Sequence, residues 1–315
     1  MVDEIKVFSG NAHPKLAQEV AAYLKIPLGG CEVFEFTNEN IFVRILDNVR
    51  QRDTFVIQPL CSPVNKNLVE LLIMIDALKR ASAARITAVV PYYAYGRTDK
   101  KDQPRVPITA RLLADLLTVA GAGRILTVDL HAAQIQGFFN IPVDELTALN
   151  LICRYFKKKN LDGRLVVVAT DIGISKRARD LAERLNSPLA IVEKRRVDNA
   201  GHSEALNVIG EVKGKIALTV DDEIDTAGSL INVVSALRER GAEEIYSCCT
   251  HPIFSGPAIE RIIKCPVKEI VVTDTVPIRG EKKLDKITVL PIAPLLGEAI
   301  NRIHTGNSIG AMFEQ

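Results

Sequence analysis

Short apolar runs alternate with longer amphipathic segments along the whole chain. The runs are continuously apolar, as expected for strands buried on both faces of a parallel sheet. The predicted strands include residues 5–8, 54–58, 86–90, 125–129, 165–169, 216–221, 244–250 and 269–273. Between them, apolar residues recur at helical spacing, and the predicted helices include residues 68–81, 108–120, 175–185, 229–240 and 295–304. This alternation predicts an α/β protein with doubly wound, mostly parallel sheets.

The β-α pattern runs through the chain twice. Residues 124–129 (RILTVD) are echoed by residues 216–221 (IALTVD), and no Pro-, Gly- or Ser-rich linker separates the two halves. We therefore predict two similar domains, 1–148 and 149–315, with the active site between them and the end of the chain packed on the first. The polar stretch 194–204 is predicted to be a mobile loop.

Composition narrows the class of protein. Of 315 residues, 47% are apolar and 25% charged, as in soluble globular proteins. The net charge of +2 favours neither nucleic acid nor an anionic membrane as a partner, and no apolar run is long enough to span a bilayer. The N-terminus lacks the pattern of a secretion signal, so a cytoplasmic location is expected. None of the six cysteines forms a CxxC pair, which favours small buried side chains over a zinc site or disulfides.

The strongest chemical signal is the loop after the strand at 216–221. Its sequence from Asp221 to Ser229 is DDEIDTAGS, and an amphipathic helix follows. Small residues at a helix N-terminus allow backbone N–H groups to cradle a phosphate, and two carboxylates before it can accept hydrogen bonds from ribose hydroxyls. The predicted ligand residues are Asp221, Asp222, Asp225, Thr226, Ala227, Gly228 and Ser229. An acidic strand end with a capping residue, or a divalent-metal loop, would be the alternative.

Other candidates also follow predicted strands or lie in predicted loops. His131 and Asp171 come just after the strands at 125–129 and 165–169, although a lone histidine there is often structural. Lys194 and Arg196 belong to a basic triplet on the predicted loop, and such a triplet by itself is more often a solvated basic face or a nucleic-acid-binding patch. Further motifs are FSGN at 8–11, NLVELLIMIDALKRASA at 67–83, PRVPI at 104–108, DLHAAQIQGFF at 129–139, KRR at 194–196, SGPA at 255–258 and VTDT at 272–275.

With these motifs, nearly the whole chain resembles the ribose-phosphate pyrophosphokinase family. The loop at 220–230 alone also resembles the phosphoribosyl-pyrophosphate loop of type I phosphoribosyltransferases. The family resemblance implies that ATP and ribose 5-phosphate give AMP and 5-phosphoribosyl 1-pyrophosphate, with Mg²⁺ as cofactor. It also implies a homo-oligomer, a hexamer, and regulation by phosphate and ADP.

The resemblance also implies roles for individual residues. It assigns Lys194 and Arg196 to the transferring phosphates, Arg196 also to ribose 5-phosphate, and His131 and Asp171 to magnesium. The implied ATP-binding residues are Asn38, Glu39, Asn40, Arg97 and Thr98, the first three contacting ATP across a subunit boundary.

Several positions depart from the family pattern on the nucleotide side. Asn40 stands where an acidic residue is common, Thr98 where glutamine is common, and Ile174 where a small residue is common. A non-catalytic, regulatory homologue is therefore one alternative. A phosphoribosyltransferase is another, but it would leave the motifs of the first half unexplained.

We predict that these departures alter donor selectivity and do not abolish catalysis. Asn40 still offers a carbonyl acceptor and Thr98 a hydroxyl. The double change Asn40→Glu with Thr98→Gln should therefore change the ratio of kcat/KM for ATP to that for GTP. Steady-state kinetics with both donors checks this. Identical ratios in the two proteins would show that the departures are neutral, and an inactive parent rescued by the change would favour the regulatory homologue.

Overall fold

The computed structural model describes residues 4–161, 163–196 and 204–312. The strands are β1 (Ile5–Ser9), β2 (Cys31–Glu35), β3 (Ile41–Ile45), β4 (Asp53–Ile57), β5 (Arg85–Val90), β6 (Arg124–Val128), β7 (Val143–Leu146), β8 (Leu165–Ala169), β9 (Leu189–Arg196), β10 (Glu204–Ile209), β11 (Ile216–Ile224), β12 (Glu244–Pro252), β13 (Glu269–Thr273) and β14 (Ile287–Leu290). The helices are α1 (Pro14–Leu24), α2 (Val64–Arg80), α3 (Thr109–Ala120), α4 (Leu149–Lys158), α5 (Ser175–Arg184), α6 (Gly228–Glu239), α7 (Ala258–Lys264) and α8 (Ala293–Thr305). Short 3₁₀ turns cover Ala133–Phe138, Gly280–Lys282 and Gly310–Met312.

The chain divides into two compact units. The first comprises Met1–Thr147, Thr275–Pro277 and Pro291–Gln315, and the second comprises Ala148–Asp274 and Ile278–Leu290. The domain limits 1–148 and 149–315 stay a prediction. None of the helices in the described ranges is long and apolar enough to cross a bilayer.

The first unit is built on a parallel five-stranded sheet in the order β1-β4-β5-β6-β7. Every residue of β4 is buried, including the polar Asp53 and Thr54, and the burial of Phe55, Val56 and Ile57 accounts for its apolar run. Strands β2 and β3 form a separate antiparallel hairpin. The hydropathy pattern missed this hairpin because its outer face remains exposed, so its buried residues do not form one run.

The second unit has a seven-stranded sheet in the order β10-β9-β8-β11-β12-β13-β14. All neighbours pair in parallel except β9 and β10, which are antiparallel at one edge. The prediction of mostly parallel α/β sheets is confirmed. Because β8, β9 and β11 run in the same direction, their carboxyl ends and the residues that follow them lie on one side of the sheet.

Helix ends follow from local backbone geometry. Gly121, which ends α3, has φ 124°, and Gly241, just after α6, has φ 86°. Both angles are costly for a residue with a Cβ, so glycine ends these helices where the sequence predicted an end.

A buried carboxylate ties the last helix to the first sheet. Asp53 of β4 is completely buried, and its Oδ2 lies 2.9 Å from His304 Nδ1 of α8 and in contact with the Arg85 guanidinium. Arg85 Nη2 also donates to the carbonyl oxygen of His304 at 3.3 Å. The other oxygen, Oδ1, has no hydrogen-bond partner among the described residues. The Asp53 charge therefore depends on these two side chains.

We predict that Arg85→Met lowers the free energy of unfolding by about 1–3 kcal/mol, because a buried carboxylate loses its strongest donor. Arg80→Met is the matched control. Its pair with Asp76, four residues earlier on α2, is exposed, so we expect little change. Urea unfolding of both variants checks the difference, and equal losses would show that the buried ion pair adds nothing to stability.

Candidate active site

The predicted phosphate loop lies at the carboxyl end of a central strand of the second unit. Pairing of β11 with β8 ends at Val220 and Ala169, whereas pairing with β12 continues to Ile224 and Pro252. The strand therefore extends three residues further than predicted. As a result, the carboxylates of Asp221 and Asp222 belong to the end of the strand and not to the loop.

A left-handed residue makes the transition from this loop to α6. Ala227 has φ 59° and ψ 12°, and Gly228 is the first residue of the helix. The N-cap residue Ala227 makes no side-chain capping hydrogen bond, and backbone N–H groups of a helix's first turn can bind an anion. A Cβ built on Gly228 would lie 3.4 Å from Arg261 Nη1 and 3.7 Å from Thr226 Oγ1, an ordinary contact range.

Two residues that hold this loop come from the segment after β12. Ser255 donates its hydroxyl to Asp225 Oδ1 and its backbone N–H to the Asp225 carbonyl oxygen at 3.0 Å. Arg261 of α7 donates from Nη1 to the Thr226 carbonyl oxygen at 2.9 Å and places a positive charge beside Gly228. The SGPA motif thus has a structural role. Sequence reasoning missed Arg261, because nothing in its local sequence links it to a loop 35 residues earlier.

The carboxyl groups of Asp221 and Asp222 are adjacent, and their electrostatic interaction is unfavourable. Burial raises the pKa of Asp221 well above its ordinary value, and the carboxyl group of Asp222 raises it further. Thr170 Oγ1 donates to Asp221 Oδ2 at 2.9 Å, and the Asp222 N–H donates to Asp221 Oδ1 at 2.9 Å, which opposes this rise. Asp222 itself is 4% exposed. Ionised Asp221 is therefore costly unless a ligand supplies donors.

The loop after β8 presents a second carboxylate on the same side of the sheet. Asp171 is exposed, and its Oδ1 accepts the Ile174 N–H at 3.0 Å. A Cβ built on Gly173 would come within 3.1 Å of that oxygen. Glycine therefore occupies the crowded position of this loop, and the neighbouring Ile172 is exposed.

The basic triplet does not lie on a loop. Lys194 and Arg196 belong to β9, which pairs with β10 out to Glu204, so the predicted loop limits of 194 and 204 were wrong. The antiparallel pair of β9 and β10 lies at one edge of the sheet. Strands in such a pair do not require a continuous apolar run, so the hydropathy pattern did not predict them. The remaining residues of that stretch, 197–203, lie outside the described ones. Ile191 is level with Ala169, so the Lys194 backbone continues about 10 Å past the end of the β8 pairing.

In the first unit, the loops after β5 and β6 meet. A Cβ built on Gly96 would lie 3.1 Å from His131 Cβ, and Gln134 Nε2 donates to Asp99 Oδ2 at 2.6 Å. These contacts bring Arg97 next to His131, both of them exposed. The structure therefore groups two predicted residues that are 34 positions apart in sequence.

The remaining nucleotide-side candidates lie in tight turns. Thr98 donates its hydroxyl proton to the Tyr95 carbonyl oxygen at 2.7 Å, so its oxygen remains available as an acceptor. Asn38, Glu39 and Asn40 are exposed in the turn of the β2–β3 hairpin, where Asn38 Oδ1 accepts the Asn40 N–H at 3.3 Å. Glu39 is left-handed, with φ 65°.

The described residues contain no group of three or more His, Cys, Asp or Glu side chains placed to hold a metal ion. Magnesium commonly binds one or two protein carboxylates and completes its shell with water and phosphate oxygens. The exposed carboxylate of Asp171 suits that mode of binding. The imidazole of His131 is a nitrogen donor and suits a phosphate or a metal-bound water better.

Comparisons with known proteins cover nearly the whole chain, and they all name the same kind of protein. A model of the N-terminal domain of ribose phosphate pyrophosphokinase matches residues 5–121, and a phosphoribosyl synthetase-associated domain matches residues 197–314. A ribose-phosphate pyrophosphokinase of Caldanaerobacter subterraneus is 55% identical over 99% of this chain and 98% of its own. One of Clostridium perfringens is 51% identical over 98% of each chain. The crystal structure of phosphoribosylpyrophosphate synthetase from Mycobacterium smegmatis has a TM-score of 0.92 at 44% identity, covering 97% of this chain and 100% of that one.

We predict that Asp221→Asn stabilises the fold at neutral pH, because it removes a charge that desolvation and the neighbouring Asp222 carboxyl group make unfavourable. The pKa of Asp221 is higher in the folded protein than in the unfolded chain. Below the ordinary aspartate pKa the carboxyl group is protonated in both states, so its ionisation does not lower the free energy of unfolding there. The gain should therefore grow as the pH rises above that value, and level off above the folded pKa. The same change should weaken binding of ribose 5-phosphate.

Urea unfolding between pH 5 and pH 8 measures the gain, with Asp225→Asn as the matched control, since Asp225 accepts from Ser255. A gain that falls as the pH rises would contradict the assignment.

Proposed function

The chain belongs to the ribose-phosphate pyrophosphokinase family, and from that premise we propose that it transfers the β,γ-diphosphate of ATP to the 1-hydroxyl of ribose 5-phosphate. The products are 5-phosphoribosyl 1-pyrophosphate and AMP. The observation that carries the proposal is the loop of the second unit: two carboxylates at the end of β11, followed by an uncapped helix N-terminus. This is the donor and acceptor pattern that a phosphorylated sugar requires.

The sugar is held by groups of opposite character. The N–H groups of the first turn of α6, with the hydroxyls of Thr226 and Ser229, donate to the 5-phosphate, and Arg261 adds a positive charge next to them. Asp221 and Asp222 accept hydrogen bonds from the 2- and 3-hydroxyls. Since a hydroxyl donor favours the ionised carboxylate, binding of the sugar relieves the unfavourable burial of Asp221.

In the transfer step the 1-hydroxyl oxygen attacks the β-phosphorus and releases its proton to solvent. The bond between the β-phosphorus and the oxygen that bridges to the α-phosphate breaks, and AMP leaves with that oxygen. Such a transfer requires positioning and stabilisation of charge more than a covalent intermediate. We assign Lys194 and Arg196 to stabilise the transferring diphosphate. Asn38, Glu39, Asn40, Arg97 and Thr98 are assigned to ATP.

Asp171 and His131 are assigned to hold Mg²⁺ with the phosphates, Asp171 as an oxygen ligand and His131 through a phosphate or a metal-bound water. When bound, the ion supplies neutralisation of phosphate charge. The homo-oligomer, the hexamer and the phosphate and ADP effects stay predictions.

The alternatives explain less of the chain. A phosphoribosyltransferase would account for the loop at 221–229 but not for the match of residues 5–121 to a pyrophosphokinase domain. A regulatory homologue is also disfavoured, because Asp171, His131 and the loop at 221–229 are all present.

The defining experiment uses ATP labelled at the β-phosphorus, with ribose 5-phosphate and Mg²⁺. We expect the label to appear in the sugar product together with one equivalent of AMP. Formation of ADP and a singly phosphorylated sugar would disprove diphosphate transfer. Lys194→Ala is the control, and its kcat should fall about a hundredfold or more if the ammonium acts on the transition state.

The cradle is tested by Gly228→Val. The added side chain has room within the protein but extends over the position of the 5-phosphate. We expect a large loss of affinity for ribose 5-phosphate with little loss of stability, measured by calorimetric titration and urea unfolding. Gly123→Val is the matched control, since Gly123 is exposed and its added Cβ meets only the Ile86 carbonyl oxygen at 3.7 Å. Unchanged sugar affinity in Gly228→Val would contradict the assignment.

A further inference from the structure

The first unit contains a buried carboxylate that the proposed reaction does not use. Glu70 of α2 is 1% exposed. Its Oε1 accepts the Asn11 backbone N–H at 2.6 Å and Gln58 Nε2 at 2.8 Å, and its Oε2 accepts Asn11 Nδ2 at 2.9 Å. A charge buried this deeply is costly unless its partners are well placed.

A carboxylate group can satisfy these three donors at once. It accepts at both oxygens and donates from neither. A glutamine in its place would present an N–H₂ group to the Asn11 amide nitrogen, donor against donor. Turning the Asn11 amide over would repair that contact. It would also place Asn11 Oδ1 against the Val33 carbonyl oxygen, to which Asn11 Nδ2 now donates. The charge at Glu70 is thus matched to the orientation of Asn11.

The same network explains the Gly10-Asn11 pair of the FSGN motif. A Cβ built on Gly10 would lie 2.2 Å from Gln58 Oε1 and 2.5 Å from Gln58 Cδ. Glycine at this position therefore lets the Gln58 side chain reach Glu70, while Gln58 Oε1 accepts the Ala12 N–H at 3.0 Å. The loop after β1 is thereby fixed against α2.

The second amide hydrogen of Asn11 reaches the β2–β3 hairpin. Asn11 Nδ2 donates to the Val33 carbonyl oxygen at 3.2 Å. One helical turn before Glu70 on α2, Lys66 forms an ion pair with Glu35 of β2. Among the described strands, β2 and β3 form a ladder only with each other. Since no neighbouring described strand pairs with the hairpin, its orientation depends on such side-chain contacts and on the packing of Cys31, Val33, Val43 and Ile45 on the core.

We propose that Glu70 and Asn11 are positioning residues, which hold the β2–β3 hairpin so that its turn at residues 38–40 can bind the nucleotide. The inference rests on the proposed function, because it takes these turn residues as the ATP contacts. Glu70 acts through Asn11, Asn11 acts through the Val33 carbonyl, and neither touches the substrate.

The test compares Asn11→Ala with Asn67→Ala. Asn67 is the matched control, because it is a buried asparagine next to the same network, and its side chain donates to the Cys61 carbonyl oxygen at 2.8 Å. Both variants should lose stability in urea. Only Asn11→Ala should raise the KM for ATP, by about tenfold for one lost orienting contact, with the KM for ribose 5-phosphate unchanged. Glu70→Gln should show the same pattern.

Hydrogen exchange gives a readout that does not need activity. The amides of residues 31–45 should exchange faster in Asn11→Ala than in Asn67→Ala. Equal KM values for ATP in the two variants, or equal changes in both substrates, would overturn the proposal, and so would unchanged exchange in the hairpin. A wild-type protein that transfers no diphosphate would disprove the proposed function instead, while the exchange data would still test whether Asn11 holds the hairpin.

Discussion

Parallel pairing of β8, β9 and β11 brings the carboxyl ends of all three strands to one end of the sheet. The charged candidate residues of the second unit owe their grouping to that constraint. Asp171 comes after β8, the basic triplet is at the end of β9, and the carboxylates of Asp221 and Asp222 are at the end of β11. The first unit repeats the arrangement with Arg97 after β5 and His131 after β6.

Buried carboxylates have different consequences in different places. At Asp53 the negative charge meets a guanidinium and an imidazole, and the result is attachment of the last helix. At Glu70 it meets only amide donors among the hydrogen bonds described above, and the result is a fixed orientation of Asn11. At Asp221 it meets another carboxyl group, which leaves an unfavourable charge that an added hydrogen-bond donor would stabilise. Burial alone therefore does not show what a carboxylate does in the protein. The chemistry of the groups that contact the carboxylate decides its role.

The cysteines show the opposite case, in which a reactive group is made inert. Burial raises the pKa of the Cys248 and Cys249 thiols far above the ordinary value, and the nearby charge of Asp221 raises both further. Both lie in β12 directly beside the functional strand. Thiols in this state behave as small apolar side chains, which is the interpretation that their lack of CxxC spacing favoured.

The sequence by itself determined the parallel α/β class, eight of the buried strands and the start of a helix after the loop at 221–227, since continuous burial leaves an unbroken apolar run and a helix start leaves small residues. It did not reveal β2, β3, β7 or β14, whose residues are mostly only partly buried, or the antiparallel pair of β9 and β10 at the edge of the second sheet. It also could not reveal that Arg261 reaches Thr226, or that Asn11 joins Glu70 to Val33. Those contacts link residues far apart in the chain, and only the packing of one element on another decides which side chains meet.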